Sequence, residues 1–344
     1  NAPFPCLVHP DPADGIIQWR QKQVPSKRVG KAINETLTDL MSSHPEMLIL
    51  GEDVKDPYGG AFGITRGLSD LFPDRVLNTP ISESAIVGIG CGLAMAGYRP
   101  FVEVMFGDFI TLAMDQLLNH ASKFEYMYAG QVSVNLVVRT PMGGRRGYGP
   151  THSQTLDRHF LGIPGLTIVA INNLMSPGAI YETLLTHSSG PVLIIENKVL
   201  YGNRLCTQPP EGFRLFVSDE MFPTAFLAPE SEWVDLTLVS YGGMSDLLLQ
   251  AADRLFEEHD LISQVICPTK IYPFHIKPYL PILNRGRALV VVEEGQGFAG
   301  FGAEFVAQMA ELSPHAQQKV RRVFASACPI PASGPLEDQV LPHL

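Results

Sequence analysis

Two side chains in the first half of the chain are of the types that transfer protons in enzymes, a carboxylic acid and an imidazole. Glu83 lies directly before a predicted helix that is rich in glycine and alanine, and His152 lies in a loop rich in glycine and proline. Each has a simpler interpretation. Glu83 suits a helix N-terminus, where the helix dipole favours an acid, and a single histidine is more often structural.

The position of His152 favours a functional role over a structural one. The loop at 139–154 follows a predicted strand at 134–138 and ends in Thr-His-Ser-Gln. In open α/β sheets, ligands bind at the carboxyl ends of the strands. A loop that carries an imidazole beside hydroxyl and amide groups is also poor material for a core. We therefore interpret His152 as a residue that faces a ligand.

Buried, β-branched strands alternate with amphipathic helices through most of the chain, which predicts parallel sheets covered by helices on both faces. The predicted fold class is α/β with two parallel-sheet domains. The predicted strands lie at 47–50, 101–104, 134–138, 166–171, 191–195, 236–242, 264–267, 288–294 and 320–324. Long helices are predicted near 109–128 and 275–284, among others.

The 344 residues suit two domains. Residues 1–27 are rich in proline and predict an extended N-terminal arm, and 28–203 form the first domain. Residues 204–233 lose the periodic pattern and predict a linker, and 234–344 form the second domain. We expect the proline-rich C-terminal tail of this second domain to run over the surface.

Composition excludes several classes of protein. The net charge of −10 and the lack of a basic cluster argue against a nucleic-acid partner. The apolar runs are too short to span a bilayer, so no membrane partner is expected. The five cysteines show no paired spacing, which is typical of reduced thiols in a cytoplasmic-type compartment.

Several cofactor motifs are absent or misleading. Gly295–Gly300 fits G-x-G-x-x-G, but the next strand is basic and close to the chain end, so no second half of a dinucleotide fold follows. The histidines are dispersed without zinc spacing, and we predict no metal site on this chain. The sequence also lacks a phosphate-binding P-loop and a nucleophile elbow.

Longer segments resemble the β subunit of the thiamine-diphosphate-dependent component of 2-oxo acid dehydrogenases, of the pyruvate or branched-chain type. The resemblance covers residues 28–344 and implies a transketolase-like pyrimidine-binding domain followed by a transketolase C-terminal-like domain. The similar segments are LGEDV (50–54), GGAFGITRGL (59–68), RVLNTPISESAIVGIGCGLAMAGYRP (75–100), EVMFGDF (103–109), DQLLNHASK (115–123), GPTHSQ (149–154), PVLIIENKVLYG (191–202) and VVEEGQGFAGFGAE (291–304).

The resemblance assigns roles to five residues. It implies that Glu83 activates the cofactor through a hydrogen bond to its pyrimidine ring, and that Phe109 stacks on that ring. Ile81 and Met105 match positions that line the ring, although many relatives carry a polar residue in place of Met105. His152 matches the histidine that faces the reacting carbons.

The resemblance also implies partners. Family members bind the diphosphate through Mg²⁺ with a G-D-G…N motif, which this sequence lacks. We therefore expect an α subunit to hold Mg²⁺ and the diphosphate in an α2β2 assembly. The implied reaction is oxidative decarboxylation of a small 2-oxo acid, with acyl transfer to a lipoyl group on an acyltransferase or carrier protein. The implied location is cytoplasmic, or the mitochondrial matrix or another organelle in a eukaryote.

Departures from the family pattern leave alternatives open. The segment CPTKIYP (267–273) replaces the family's D-L-R-T/S before proline, and the acidic residue of the family's potassium site is replaced near His187. The form GYGPTHSQ (147–154) is similar to transketolase-like sugar enzymes, so the alternative reaction is a two-carbon ketol or acyl transfer to a carrier. A non-catalytic scaffold is a third hypothesis, which the intact set of Glu83, Phe109 and His152 argues against.

Overall fold

A computed structural model describes residues 17–21, 26–187, 189–313 and 318–344. The strands are β1 (Trp19–Gln21), β2 (Met47–Gly51), β3 (Val76–Asn78), β4 (Arg99–Glu103), β5 (Val137–Met142), β6 (Thr167–Ala170), β7 (Val192–Asn197), β8 (Phe213–Ser218), β9 (Thr224–Pro229), β10 (Leu236–Val239), β11 (Ser263–Pro268), β12 (Lys270–Tyr272), β13 (Ala288–Gln296) and β14 (Lys319–Ala325). The α-helices are α1 (Val29–Ser43), α2 (Leu68–Leu71), α3 (Glu83–Met95), α4 (Phe124–Met127), α5 (Pro177–Thr186), α6 (Met244–His259), α7 (Leu280–Leu283), α8 (Phe301–Leu312) and α9 (Gly334–Val340).

The first sheet has the strand order β12-β6-β7-β5-β4-β2-β3 and is parallel except for β12. Successive side chains of β2 enter different cores, because side chains alternate between the faces of a strand. Ile49 packs in the core that contains α1 and α5, and Leu50 packs in the core that contains α3. Helices therefore cover both faces of this sheet, as the sequence pattern predicted.

The second sheet has the order β1-β8-β9-β11-β10-β13-β14. Its strands β10, β11, β13 and β14 pair in parallel, whereas β1, β8 and β9 add an antiparallel edge. The predicted α/β class, with two sheets of mainly parallel strands, is confirmed.

Two predicted segments, the linker and the tail, differ in the structure, and a third, the arm, is described only in part. Residues 204–233, predicted as a linker, contain the antiparallel strands β8 and β9, whose apolar side chains join the core. Part of the predicted arm, β1, pairs with β8. The arm's other residues, 1–16 and 22–25, lie outside the described part of the chain. The tail is not confined to the surface, because α9 buries Glu337, which is 1% exposed.

The two long helices predicted near 109–128 and 275–284 are broken into shorter turns. The first is a 3-10 helix (Gly107–Ala113), a π-helix (Gln116–Ala121) and α4. The second is a 3-10 turn (Lys277–Tyr279) followed by α7. The first of these turns packs tightly at its start, since a Cβ atom on Gly107 would lie 2.2 Å from Met142 Cγ. Over the described residues, every helix is too short or too polar to cross a membrane.

Candidate active site

Glu83 is the first residue of α3 and is only 7% exposed. The glycines of α3 allow this burial, because they let the helix approach the sheet closely. A Cβ atom on Gly90 would lie 2.7 Å from Val102 Cγ2 and 2.9 Å from Leu136 Cδ1. The composition of α3 thus brings the Glu83 carboxyl group to the sheet, near the carboxyl ends of β2 and β4.

A second buried carboxyl group lies near Glu83. Glu52 follows β2 directly and is 8% exposed. Burial raises the pKa of Glu52, and the charges of Glu83 and Asp53 raise it further. Among the described residues, Glu52 Oε1 has no hydrogen-bond partner. A buried polar atom without a partner indicates a site that another group completes.

Phe109 and His152 are brought together, as the sequence analysis expected of a shared site. Phe109 lies in the 3-10 helix after β4, and this helix packs against α3. The His152 ring makes edge contacts with Phe109 and with Phe106, at centroid distances of 5.1 and 5.0 Å. Tyr148 packs on the other side of Phe106, at 5.9 Å. The imidazole is therefore held in an aromatic cluster at the edge of the sheet.

Asp108 links the 3-10 helix to the loop that carries His152. Its Oδ1 atom accepts hydrogen bonds from the Gln154 backbone N–H at 3.2 Å and from the Gln154 side-chain amide at 2.9 Å. Asp108 is 7% exposed, so these bonds are shielded from water. The separation of Phe109 from His152 is thus restrained by hydrogen bonds between Asp108, the residue before Phe109, and Gln154, two residues after His152.

Lys198 is a site residue that the sequence analysis missed. It is completely buried, and its Nζ atom donates to the His152 carbonyl oxygen at 2.5 Å. The same Nζ atom lies 5.3 Å from the centre of the Phe106 ring. Burial lowers the pKa of Lys198 to about 8, although the charges of Asp108 and Glu294 oppose the shift. The sequence feature that could have identified Lys198 is its position directly after the buried strand β7.

A buried ionic network, which the sequence analysis also missed, joins the strands that carry the site. Arg139 of β5 donates to both oxygens of Glu196, at 2.9 and 2.6 Å, and also pairs with Glu103. Glu103 accepts from the Ala61 backbone N–H at 2.6 Å, and Glu196 accepts from the Tyr201 hydroxyl at 2.7 Å. Because Glu103 ends β4, Arg139 lies within β5 and Glu196 is next to the end of β7, the network ties together three neighbouring strands that carry the site.

The remaining predicted residues are more open. Met105 is half-buried and lines a cavity of about 380 Å³, whose walls include Tyr58, Phe62, Arg66 and Tyr148. Ile81 is 81% exposed, two residues before the Glu83 carboxyl group. The structure thus groups Phe109 with His152, whereas Met105 and Ile81 lie on accessible surface beside them.

The acidic and aromatic side chains of this site fit one end of a thiamine cofactor. An acid at the start of α3, an unpartnered buried carboxyl oxygen and a flat aromatic ring are suited to a nitrogen heterocycle. Over the described ranges, no cluster of three or more histidine, cysteine, aspartate or glutamate residues could hold a metal ion. The buried acids and the aromatic ring therefore fit the pyrimidine end of the cofactor.

The two halves of the chain match two protein-family models. Residues 26–203 match the model described as "Transketolase, pyrimidine binding domain", and residues 229–344 match "Transketolase, C-terminal domain". The solved structure titled "Split gene transketolase, inactive beta4 tetramer" is similar with a TM-score of 0.65, over 87% of this chain and 88% of that chain. Its sequence identity is 19%, so this similarity concerns the fold alone.

Curated relatives extend over nearly the whole chain. The pyruvate dehydrogenase E1 component subunit beta-1, mitochondrial, of Arabidopsis thaliana is 33% identical, over 92% of this chain and 86% of the relative. The acetoin:2,6-dichlorophenolindophenol oxidoreductase subunit beta of Cupriavidus necator is also 33% identical, over 90% and 92%. The corresponding Saccharomyces cerevisiae pyruvate dehydrogenase subunit is 28% identical, over 98% and 90%. The predicted resemblance is thus confirmed, and the chain belongs to the transketolase-like family together with the β subunits of pyruvate dehydrogenase E1.

Proposed function

We propose that the chain is the β subunit of a heteromeric thiamine-diphosphate-dependent 2-oxo acid dehydrogenase. The reaction is oxidative decarboxylation of a 2-oxo acid, with acyl transfer to a lipoyl group. The observation that carries the proposal is the contact between Phe109 and His152, beside the helix that begins with the buried Glu83. This arrangement lies at the carboxyl edge of a parallel sheet, where ligands bind.

Thiamine diphosphate, when bound, supplies a carbon nucleophile and accepts the electrons released when CO₂ leaves. In this proposal, Glu83 holds a proton toward the pyrimidine nitrogen, and burial strengthens that hydrogen bond because the local dielectric is low. Phe109 stacks on the ring, which Ile81 and Met105 also line. His152 faces the reacting carbons, where an imidazole can move protons or hold the substrate carboxylate.

The site on this chain is half of a site, so an α subunit is part of the proposal. The sequence lacks the motif that binds Mg²⁺ and the diphosphate. Ile81 is 81% exposed next to the buried Glu83, which suits a surface that a partner covers. The relatives are named as beta subunits, which supports an α2β2 assembly. A lipoyl-bearing acyltransferase is the acceptor, and the mitochondrial relatives support the matrix as the location in a eukaryote.

A second candidate is supported by the Cupriavidus necator relative, which is named for acetoin and is as similar as the plant pyruvate dehydrogenase subunit. Acetoin cleavage passes a two-carbon unit to an acceptor. This agrees with the alternative of two-carbon transfer that the GYGPTHSQ segment suggested.

The test uses this chain captured from its native lysate with the α partner that co-purifies. With thiamine diphosphate and Mg²⁺ added, reduction of an artificial electron acceptor is followed across a panel of 2-oxo acids and acetoin. Turnover with one 2-oxo acid is the expected result and names the substrate. Turnover with acetoin alone would replace the proposal by the second candidate, and silence from a complex that binds the cofactor would reject both.

A further inference from the structure

The loop that presents His152 has an irregular backbone that needs outside support. It joins β5 to the 3-10 turn at Asp157–His159 and contains no helix or strand at 143–155. Its φ angles are positive at Gly143, Arg145, Gly147 and Gly149, between 66° and 97°. Arg145 is the unusual member, because residues with a side chain rarely adopt this region. Such a backbone persists only where its surroundings hold it.

One support is Glu294 of β13, in the second half of the chain. Glu294 is 6% exposed, and its carboxylate accepts from the Gly144 backbone N–H at 3.2 Å and from the Thr155 hydroxyl at 3.2 Å. The Asn197 side-chain amide donates to the same carboxylate at 2.7 Å. Glu294 therefore binds both ends of the loop and ties them to β7.

The other support is Glu337 of α9, which is 1% exposed. Its two oxygens accept from the backbone N–H groups of Arg145 at 2.7 Å and Gly147 at 3.1 Å. The loop and the tail are in close contact here, since a Cβ atom on Gly144 would lie 2.5 Å from Leu341 Cδ1. A buried carboxylate that accepts two backbone N–H groups makes strong, charge-assisted hydrogen bonds.

The two glutamates contact the backbone of the loop, whereas the imidazole of His152 contacts aromatic rings. His152 itself is fixed by Lys198 through its carbonyl oxygen and by Phe106 and Phe109 through its ring. We propose that Glu294 and Glu337 are positioning residues that hold the His152 loop in its reactive geometry. The C-terminal helix α9 is then part of the active site's support. This inference rests on the proposed function of His152.

The test variant is Glu337→Gln in the assembled complex, because an amide has the same shape but accepts more weakly and turns a donor toward one N–H group. The matched control is Asp338→Asn, since Asp338 is the next residue of α9 and is exposed, and it contacts the Arg145 side chain at 3.3 Å rather than the loop backbone. Glu294→Gln is a second variant that acts at Gly144 and Thr155.

The expected result has two parts. In Glu337→Gln, hydrogen–deuterium exchange speeds up at the Arg145 and Gly147 amides, and kcat falls by about 10–100-fold, the effect of a small misplacement of a reacting group. KM and the affinity for thiamine diphosphate stay at the wild-type values, because Glu83 and Phe109 are untouched, whereas Tm falls slightly because two buried hydrogen bonds are weakened. Asp338→Asn leaves exchange and kcat unchanged. In Glu294→Gln, the faster exchange appears at Gly144.

Wild-type exchange at both amides, or an unchanged kcat, would overturn the inference. So would a parallel loss of kcat, cofactor affinity and Tm, which would show a role in folding alone. If the wild-type complex turns over no donor, the proposed function fails by itself. In that case, the positioning role of Glu337 is tested separately, by the rate at which diethyl pyrocarbonate modifies His152. A rate that changes in Glu337→Gln but not in Asp338→Asn supports it, and an equal rate in both rejects it.

Discussion

Two buried carboxyl groups lie close to each other in the candidate site. Glu83 and Glu52 are both less than a tenth exposed, and the charge of Glu83 contributes to the raised pKa of Glu52. Two buried carboxyl groups so placed disfavour ionisation of both at once. The raised pKa of Glu52 favours its protonated form, whereas the proposed role of Glu83 is a hydrogen bond to the pyrimidine nitrogen of the cofactor.

Glu83→Gln tests this role at the level of one residue. Since the amide cannot exchange a proton with the cofactor, we expect turnover of the assembled complex to fall by about 10²–10⁴-fold, the usual contribution of a general acid or base. Steady-state kinetics on the purified complex measure this. Assembly, followed by size-exclusion chromatography, should stay intact.

The matched control for Glu83→Gln is Glu257→Gln, at an exposed position on α6. It removes the same charge and should leave turnover unchanged. Activity of Glu83→Gln within tenfold of the wild type would reject the cofactor role. If the wild-type complex is inactive as well, the non-catalytic scaffold becomes the favoured hypothesis.

At the scale of elements, α3 shows how composition positions a catalytic group. The helix packs against β4, and the face of α3 that carries Gly90 meets Val102 and Leu136. Both of these side chains are fully buried, so they have little room to move. Gly92, two residues later, is exposed, and a Cβ atom on it would meet no neighbouring segment within 4 Å. The same helix thus contains one glycine that packing requires and one that it does not.

Gly90→Ala and Gly92→Ala should therefore change stability in opposite directions. Overpacking at Gly90 costs about 1–3 kcal/mol, which exceeds the roughly 1 kcal/mol that alanine gains over glycine in a helix. At Gly92 only the gain remains, so the free energy of unfolding should rise by about 0.5–1 kcal/mol. Urea titrations followed by circular dichroism compare the two. Equal effects at both positions would show that close packing of α3 is not what Gly90 provides.

At the scale of the whole molecule, the two halves meet through buried carboxyl groups. Asp157, which follows the His152 loop, accepts a hydrogen bond from the Tyr241 hydroxyl that follows β10. Glu293 of β13 lies near Asp157 and is 1% exposed. Burial raises the pKa of Glu293 to about 7, and the charge of Asp157 adds to the shift, against smaller opposing effects of Arg322 and Arg158.

Because burial raises the pKa of Glu293, the stability of the folded protein depends on pH. The folded protein binds the Glu293 proton more tightly than the unfolded chain, so the free energy of unfolding falls as pH rises from about 4.5 to about 7. The shift corresponds to roughly 3 kcal/mol as an upper limit. Glu293→Gln removes the ionisation, so we expect a higher Tm than the wild type at pH 8 and a similar Tm at pH 4.5.

Thermal unfolding at the two pH values measures the effect. The control Glu311→Gln, at an exposed position near the end of α8, should shift neither value. If Glu293→Gln and the wild type lose stability equally between pH 4.5 and pH 8, Glu293 is not the group that titrates.

The sequence by itself determined the α/β class and the family, and it nominated the candidate site residues Glu83, Phe109 and His152. Alternating strands and helices are local patterns, and Glu83, Phe109 and His152 each lie in a long motif that can be recognised without knowledge of the fold. The placement of His152 facing a ligand was argued from a general property of parallel sheets, whose carboxyl ends bind ligands, and Phe109 was nominated by the family resemblance. The roles of Glu83, Phe109, His152, Ile81 and Met105 stay predictions.

The tertiary structure alone decided what supports those residues. Four residues act on the His152 loop from positions between 44 residues before His152 and 185 residues after it, namely Asp108, Lys198, Glu294 and Glu337. No local sequence pattern predicts such pairings. The strands β8 and β9 were missed for a related reason, because an antiparallel edge is stabilised by its neighbours and not by its own periodicity. Hydrogen bonds between distant segments exist only after the chain has folded, so the sequence could propose the reacting groups but only the fold could show what holds them.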